Sequence, residues 1–247
     1  KGNQSVDEYL KQTAVINPHV TIIYTNPKSE QVIYARGTER LPPESTAIKP
    51  HPYGIELGML IDMLRYTESR TLQAFLTSEF SRVGPGTAKE ICEAAAVLPN
   101  TKPLDVSRDM AEKLLAGMQK TKIIMPPTDC LSPIGKDLLE KGLRKEIRAE
   151  FYCSTSRPSA VYRGNPFVME VGIAYGGEIP KDTKANILRF ANRVPLLYQE
   201  GACAMTNSIG ETNWKTYGLN QSGDSVPVGP LVILVHMASV WVPFTSE

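Results

Sequence analysis

The sequence lacks the features that mark most membrane, metal-binding and disulfide-stabilised proteins. Its most apolar run, residues 231–235, is far shorter than the roughly 18 residues that a transmembrane helix needs. The four cysteines are widely separated and form no C-x-x-C pair, so we expect free thiols in a reducing cytosol and neither a zinc site nor a disulfide framework. The formal net charge is only +1, so no global basic field predicts binding to nucleic acid or membrane.

Local signatures of common active sites are also missing. The sequence has no G-x-x-x-x-G-K-[ST] phosphate loop, no G-x-S-x-G nucleophile elbow and no H-E-x-x-H zinc motif. Its three histidines, His19, His51 and His236, lie far apart along the chain. His236 falls inside an apolar strand pattern, where a hydrogen-bonded core histidine is the expected role.

What is present is a globular composition, with 247 residues of which 42% are hydrophobic and 21% charged. This length predicts one large domain or two modest ones. Residues 1–54 indicate a helix over 6–13 capped by Ser5, then a hairpin of two β-rich runs at 20–24 and 31–35. The prolines at 42, 43, 50 and 52 predict a linker and a domain boundary.

The pattern then changes twice. Residues 55–98 show helical spacing throughout, which predicts a small three-helix bundle that needs a neighbour for stability. Residues 99–247 indicate an α/β domain, so the expected fold class is α+β or α/β, a helical bundle followed by an α/β domain. Its predicted helices cover 107–118, 133–148 and 202–209, and its predicted strands cover 167–175, 188–198 and 231–242.

One segment directly before a predicted helix carries a binding mechanism. Residues 82–89 read Arg-Val-Gly-Pro-Gly-Thr-Ala-Lys, and the glycines allow a tight turn whose N–H groups point outward at a helix N-terminus. This turn predicts a sequence-independent DNA site in which Gly84, Gly86 and Thr87 contact a phosphate. Arg82 and Lys89 supply flanking charge. The alternative is a plain interhelical turn, and the excess of acidic over basic residues in 55–98 counts against a strong site.

A second candidate is the run Trp214-Lys215-Thr216-Tyr217, followed by Gly218. Aromatic rings on either side of a lysine in a loop can contact nucleic acid by stacking and charge, which makes Trp214, Lys215 and Tyr217 candidate DNA-binding residues. The alternative is an aromatic pair that fixes the loop to the core.

Five blocks of sequence, spread in order along nearly the whole chain, resemble those of one known family. They are residues 51–58 (HPYGIELG), 83–87 (VGPGT), 126–135 (PPTDCLSPIG), 190–198 (FANRVPLLY) and 235–239 (VHMAS). Together they resemble the B subunit of topoisomerase VI, the archaeal-type type IIB DNA topoisomerase.

The resemblance implies a domain order. Residues 1–54 would be the end of a GHKL-type ATPase domain with a proline-rich linker, 55–98 a helix–two-turns–helix domain, and 99–247 a transducer domain. In the family, ATP with Mg²⁺ dimerises two B subunits around double-stranded DNA, and the transducer passes that state to the A subunit, which cleaves the duplex. Residues 214–217 match the W-K-x-Y motif that is thought to face DNA. The implied location is the cytoplasm, in association with the nucleoid.

Departures from the family pattern indicate an excerpt. The family's Asn-bearing helix, Asp-x-Gly-x-Gly loop, glycine-rich lid and switch lysine are absent, and the sequence starts without an initiator Met. We therefore expect this chain to have no catalytic, cofactor or metal site of its own, ATP and Mg²⁺ being held by the intact subunit. The alternative function is a nucleic-acid-binding module like that of DNA-repair glycosylases. The Lys-Gly start and the scattered cysteines disfavour it, and an inert scaffold is a third possibility.

Overall fold

The computed structural model describes residues 5–242, which divide into two compact units. The first unit comprises residues 5–44, 131–159 and 168–242, and the second comprises 45–130 and 160–167. The first crossing between the units falls at residues 44–45, inside the proline-rich stretch. No helix among the described residues is long and apolar enough to cross a membrane.

The described residues form seven α-helices and eight β-strands, which gives an α+β fold as expected. The helices are α1 (Val6–Ile16), α2 (Leu57–Tyr66), α3 (Leu72–Glu79), α4 (Pro85–Ala94), α5 (Arg108–Lys120), α6 (Lys136–Glu146) and α7 (Ala204–Glu211). The strands are β1 (Ile22–Thr25), β2 (Gln31–Tyr34), β3 (Phe151–Ser156), β4 (Ala160–Tyr162), β5 (Asn165–Tyr175), β6 (Asn186–Ala191), β7 (Val194–Pro195) and β8 (Leu231–Ser239).

A mixed sheet organises the first unit. Its strand order is β3-β5-β8-β6-β7, with β3 antiparallel to β5, β6 parallel to β8 and β7 antiparallel to β6. Strand β4 pairs with the first residues of β5 in a hairpin that belongs to the second unit. The predicted β1–β2 hairpin is confirmed as a separate two-stranded sheet.

The two faces of the sheet have separate apolar clusters, because side chains alternate along β8. Val232 and Leu234 pack with Val15 and Ile16 of α1 and with the apolar side of α6. Residues on the opposite face pack with Ile209 of α7 and with Trp214; from β8 they are Leu231, Ile233 and Val235. Helix α6 and the Trp214 turn therefore lie on opposite faces of the sheet.

Helix α6 starts later than predicted. The Ser132-Pro133 pair was expected to open it, but the helix begins at Lys136, and Gly135 is its N-cap residue with φ +83°. The reason is that the N–H groups of Ile134 and Gly135 bind a side chain of the sheet, described below, which holds these residues outside the helix.

The predicted strand over 188–198 is two strands. Asn192 and Arg193 both have positive φ, 47° and 66°, which is the backbone of a tight two-residue hairpin turn. The turn separates β6 from β7 and aims Arg193 back toward the sheet. The alternating pattern of 188–198 missed it because asparagine followed by arginine is a weak turn signal compared with Asn-Gly.

The second unit has a core of four helices. Helix α5 adds Ala111, Leu114 and Met118 to the apolar cluster of α2, α3 and α4. A Cβ on Gly117 of α5 would lie 2.8 Å from the carbonyl oxygen of Ile91, so α4 and α5 approach closely. The predicted boundary at residues 98–99 thus falls inside this compact unit, because the three-helix bundle is completed by the helix that follows it.

Candidate nucleic-acid interface

The glycine-containing turn connects α3 to α4 in the second unit, with a geometry that differs from the expected one. Gly84 is the N-cap of α4 with φ −88°, Pro85 occupies the first helical position and Gly86 lies inside the first turn. The residue with positive φ is Arg82, at 62°, so the tight bend falls on the arginine and not on the glycines.

The fold itself does not demand either glycine. A Cβ added to Gly84 or Gly86 would meet nothing within 4 Å, and neither residue has positive φ. The cap makes no side-chain hydrogen bond, so no capping side chain satisfies the first N–H groups of α4. An uncapped helix N-terminus with open space around its backbone is suited to an anion.

The charge around this turn is modest. Arg82 and Lys89 are exposed and Thr87 is half-buried. Lys89 forms an exposed ion pair with Glu93 at 3.8 Å, one helical turn away. Arg82 lines an open depression whose lining also includes Asp129. The five predicted residues therefore lie together on one turn, but acidic neighbours offset part of their positive charge.

The aromatic run 214–217 belongs to the first unit and forms one turn of 3-10 helix, where a loop was expected. Trp214 is half-buried, packs against the cluster that contains Ile209, and donates an indole hydrogen bond to the Ile209 carbonyl at 2.7 Å. Lys215 is exposed, and Tyr217 is 74% exposed. Of the three predicted residues, Trp214 thus anchors the turn, while Lys215 and Tyr217 project from it.

Gln221 holds this turn in place, which the sequence analysis missed. Its carboxamide oxygen accepts a hydrogen bond from the backbone N–H of Trp214 at 3.0 Å. Its nitrogen lies 2.7–2.9 Å from the carbonyl oxygens of Gly210, Thr212 and Ser225. A single amide thereby connects the end of α7, the 3-10 turn and the following loop, so Lys215 projects from a fixed backbone.

A buried polar network lies in the sheet of the same unit. Glu170 of β5 is fully buried, and its carboxylate accepts from the N–H groups of Ile134 and Gly135 at 2.8 and 2.7 Å. It also accepts from Nδ1 of the fully buried His236 on β8 at 2.8 Å. Nε2 of His236 accepts from the backbone N–H of Arg193 at 3.1 Å. The imidazole is therefore the neutral tautomer with its proton on Nδ1.

Hydrogen bonding decides the ionisation of this network. Burial acts to raise the pKa of Glu170, but the hydrogen bonds from His236, Ile134 and Gly135 outweigh it and lower that pKa below the ordinary value. The Arg193 guanidinium donates to the carbonyl oxygens of Ser132 and Pro133 at 3.2 and 3.4 Å. Burial lowers the pKa of Arg193, and the attraction of Glu170 opposes that shift.

Three of the five blocks that carry the resemblance meet at this network. Residues 126–135 supply Ile134 and Gly135, residues 190–198 supply Arg193, and residues 235–239 supply His236. The prediction that His236 is a hydrogen-bonded core histidine is confirmed. Glu170 lies in none of the blocks, and the sequence did not predict its role. The one signal for it was a single carboxylate in the alternating pattern of β5.

An apolar groove lies on the α7 face of the sheet. Its cavity of about 790 Å³ is lined by side chains of β5, β8 and α7 together with Trp214 and Cys203. Burial acts to raise the pKa of the Cys203 thiol, but hydrogen bonds from Arg189 and from the N–H groups of Thr206 and Met205 lower it overall. Burial raises the pKa of Cys92 and Cys130. Among the described residues no group of three or more His, Cys, Asp and Glu side chains could hold a metal ion.

Comparison with known proteins gives one family. Residues 126–247 match the family described as "Topoisomerase VI B subunit, transducer". The B subunit of type 2 DNA topoisomerase 6 from Methanococcoides burtonii is 53% identical over 244 residues, 99% of this chain and 39% of that protein. Its counterpart from Methanosarcina mazei is 51% identical with equal coverage, and that from Metallosphaera sedula is 35% identical over 248 residues, 46% of its length. The chain thus spans about 39% of the length of the more similar relatives.

Proposed function

We propose, from the match of residues 126–247 to the family of topoisomerase VI B-subunit transducers, that the chain couples ATP-driven closure of a B-subunit gate to double-strand cleavage and passage of DNA by an A subunit. The observation that supports this most is the similarity of 99% of the chain to curated B subunits at 51–53% identity. The activity is that of the intact subunit, because the chain spans about 39% of those relatives. Nothing in the comparisons favours the repair-glycosylase alternative.

The domain assignment is part of the proposal. We assign residues 1–54 to the end of the ATPase domain and, as the resemblance implies, the helices of residues 55–98 to a helix–two-turns–helix domain. Because α5 packs in the same core as α2, α3 and α4, we move the proposed boundary to the transducer from residue 98 to just before the family match, which starts at residue 126. ATP and Mg²⁺ would be held by the ATPase domain of the intact subunit. Its partners would be a second B subunit on ATP binding, the A subunit and double-stranded DNA, in association with the nucleoid.

Supercoil relaxation tests the proposed activity directly. The intact subunit, mixed with the A subunit, ATP and Mg²⁺, is expected to relax supercoiled plasmid, and omission of ATP is expected to abolish the reaction. The same mixture without the B subunit is the control. Relaxation that proceeds equally well without ATP, or none in the complete mixture, would contradict the coupling role.

Lys215 is the best candidate for a phosphate contact in the transducer. It is exposed on a turn that Trp214 and Gln221 hold in place, so little ordering is needed on binding. The turn offers one cation and one exposed aromatic ring, and it lacks the cluster of Arg, Asn and Gln side chains that reads base edges. Binding here should therefore be weak, salt-dependent and indifferent to sequence.

Lys215→Ala is expected to reduce the salt dependence of DNA binding by about one in the slope of log Kobs against log salt, because one phosphate contact is lost. A gel-shift salt series with a mixed-sequence duplex measures this. Lys141→Ala on α6 is the matched control, an exposed lysine on the opposite face of the sheet. Equal slopes for Lys215→Ala and wild type would remove Lys215 from the DNA surface.

Gly86→Ala tests the turn before α4. Because a Cβ at Gly86 meets nothing and the position is helical, alanine should fold normally and add up to about 1 kcal/mol of stability. A phosphate held by the first N–H groups would, however, meet the new methyl group, so DNA affinity should fall several-fold. Gly58→Ala on the open side of α2 is the control for helix propensity. Unchanged affinity in Gly86→Ala would leave this turn with a connecting role only.

A further inference from the structure

We propose that Lys184 and Asn220 continue the phosphate-binding surface of Lys215, so that three side chains in a row contact the backbone of one DNA strand. This inference rests on the proposed function, since it extends the surface that Lys215 begins. It adds two contacts that neither the W-K-x-Y run nor any histidine, cysteine or glycine motif of the sequence indicates.

A short three-stranded arrangement brings Lys184 and Asn220 together. Val228 forms antiparallel bridges with both residues, Lys184 on one side and Asn220 on the other. The bridges are held by hydrogen bonds from the N–H of Val228 to the Asn220 carbonyl at 2.7 Å, and from the N–H of Ala185 to the Pro227 carbonyl at 2.8 Å. Lys184 and Asn220 lie far apart in sequence, so only the folded chain makes them neighbours.

The bridges also fix where the side chains lie. Directly opposed residues in antiparallel pairs place their side chains on the same face. Lys184 and Asn220 therefore share a face with Val228 between them, and both are exposed whereas Val228 is half-buried. At about 4.8 Å between neighbouring strands, the backbones at Lys184 and Asn220 are roughly 10 Å apart.

Asn220 in turn follows directly from the turn that carries Lys215. Gly218, in the left-handed conformation with φ 75°, donates its N–H to the Lys215 carbonyl at 3.1 Å, and Leu219 donates to the Trp214 carbonyl at 3.2 Å. A Cβ on Gly229 would lie 2.8 Å from the Leu219 side chain, so the strand with Val228 packs closely against this turn. The row from Lys215 through Asn220 to Lys184 therefore has a fixed backbone.

The spacing and chemistry of the row fit a nucleic-acid backbone. Two ammonium groups and an amide are donors for phosphate oxygens, and the roughly 10 Å between the backbones of Lys184 and Asn220 corresponds to about three phosphates of one strand along the helix axis. The exposed carboxylates of Asp182 and Asp224, next to the row in sequence, offset part of the charge. The surface should therefore add to binding without creating a strong site by itself.

Lys184→Ala tests the inference in a salt series of fluorescence anisotropy with a mixed-sequence duplex. The expected slope of log Kobs against log salt is about one lower than wild type, and the Lys184→Ala, Lys215→Ala double variant should lose about two. Lys184→Arg keeps the charge and should keep the wild-type slope. Asn220→Ala should lower affinity several-fold with no change of slope, since no charge is lost. Lys141→Ala on α6 is again the control.

The outcomes separate this inference from the proposed function. If Lys184→Ala keeps the wild-type slope while Lys215→Ala lowers it, the inferred contact of Lys184 with DNA is wrong, and Lys215 retains its contact. If both variants keep the wild-type slope, the DNA surface on this unit fails as a whole. Thermal melting of each variant accompanies the series, and Lys184→Gln, which keeps most of the length of the side chain without its charge, should reproduce the slope of Lys184→Ala.

Discussion

Glu170→Ala is expected to destabilise the chain by about 3–5 kcal/mol. Removal of the carboxylate leaves the Nδ1–H of the buried His236 and the N–H groups of Ile134 and Gly135 without their acceptor. Urea denaturation followed by circular dichroism measures the loss. The exposed Glu44→Ala is the control and should change stability by less than about 0.5 kcal/mol.

The ionised form of Glu170 also predicts the pH dependence of stability. The folded-state pKa is lowered, so its contribution is fully present above the ordinary glutamate pKa of about 4.3 and is lost as pH falls through the lower folded value. Glu170→Gln keeps the volume but not the charge, and should flatten the stability profile in that acidic range. If Glu170→Ala lowers the free energy of unfolding no more than Glu44→Ala does, the network adds nothing to stability.

Gly142→Ala is expected to cost about 2–4 kcal/mol, although alanine is the better helix former. A Cβ at this position of α6 would overlap the carbonyl oxygen of Val15, a backbone atom that cannot rotate away. Helix α1 must therefore move off α6, which opens the cluster of Val15, Ile16 and Leu143. Thermal melting and the proteolysis rate of the α1 segment measure the separation.

The same substitution at Gly58 of α2 is the matched control, because a Cβ there meets nothing within 4 Å. Gly58→Ala should stabilise the chain by about 0.5–1 kcal/mol through helix propensity. A Gly142→Ala variant that melts at or above the wild-type temperature would mean that α1 does not lie against this point of α6.

Several features that depend on neighbouring residues along the chain were predicted correctly from the sequence. Ser5 and Ser107 were expected at helix starts, and both side chains accept hydrogen bonds from first-turn N–H groups. The β1–β2 hairpin and the alternating strand β5 follow from turn residues and period two. The resemblance to topoisomerase VI B subunits is confirmed by the family match, although the residues that bind DNA stay a prediction.

The sequence did not predict the contacts between distant segments. Glu170 binds residues that are 36 and 66 positions away, and an isolated glutamate in a strand carries no mark of such partners. The late start of α6 has the same origin, since Glu170 holds its preceding N–H groups. Arg82 has positive φ at the bend between α3 and α4, whereas sequence rules assign such a bend to glycine.

Ser132 joins two distant segments of the first unit by hydrogen bonds. Its hydroxyl donates to the carbonyl of Pro43, and the Arg193 guanidinium binds the backbone and the hydroxyl of Ser132. Residue 43 lies just before one crossing out of the first unit and residue 132 just after another, at 44–45 and 130–131. Ser132 thus joins residues next to two of the chain crossings of the first unit, and Arg193 connects them to the β6–β7 turn at the end of the sheet. A displacement of that turn therefore reaches both Pro43 and Ser132 through hydrogen bonds within the first unit.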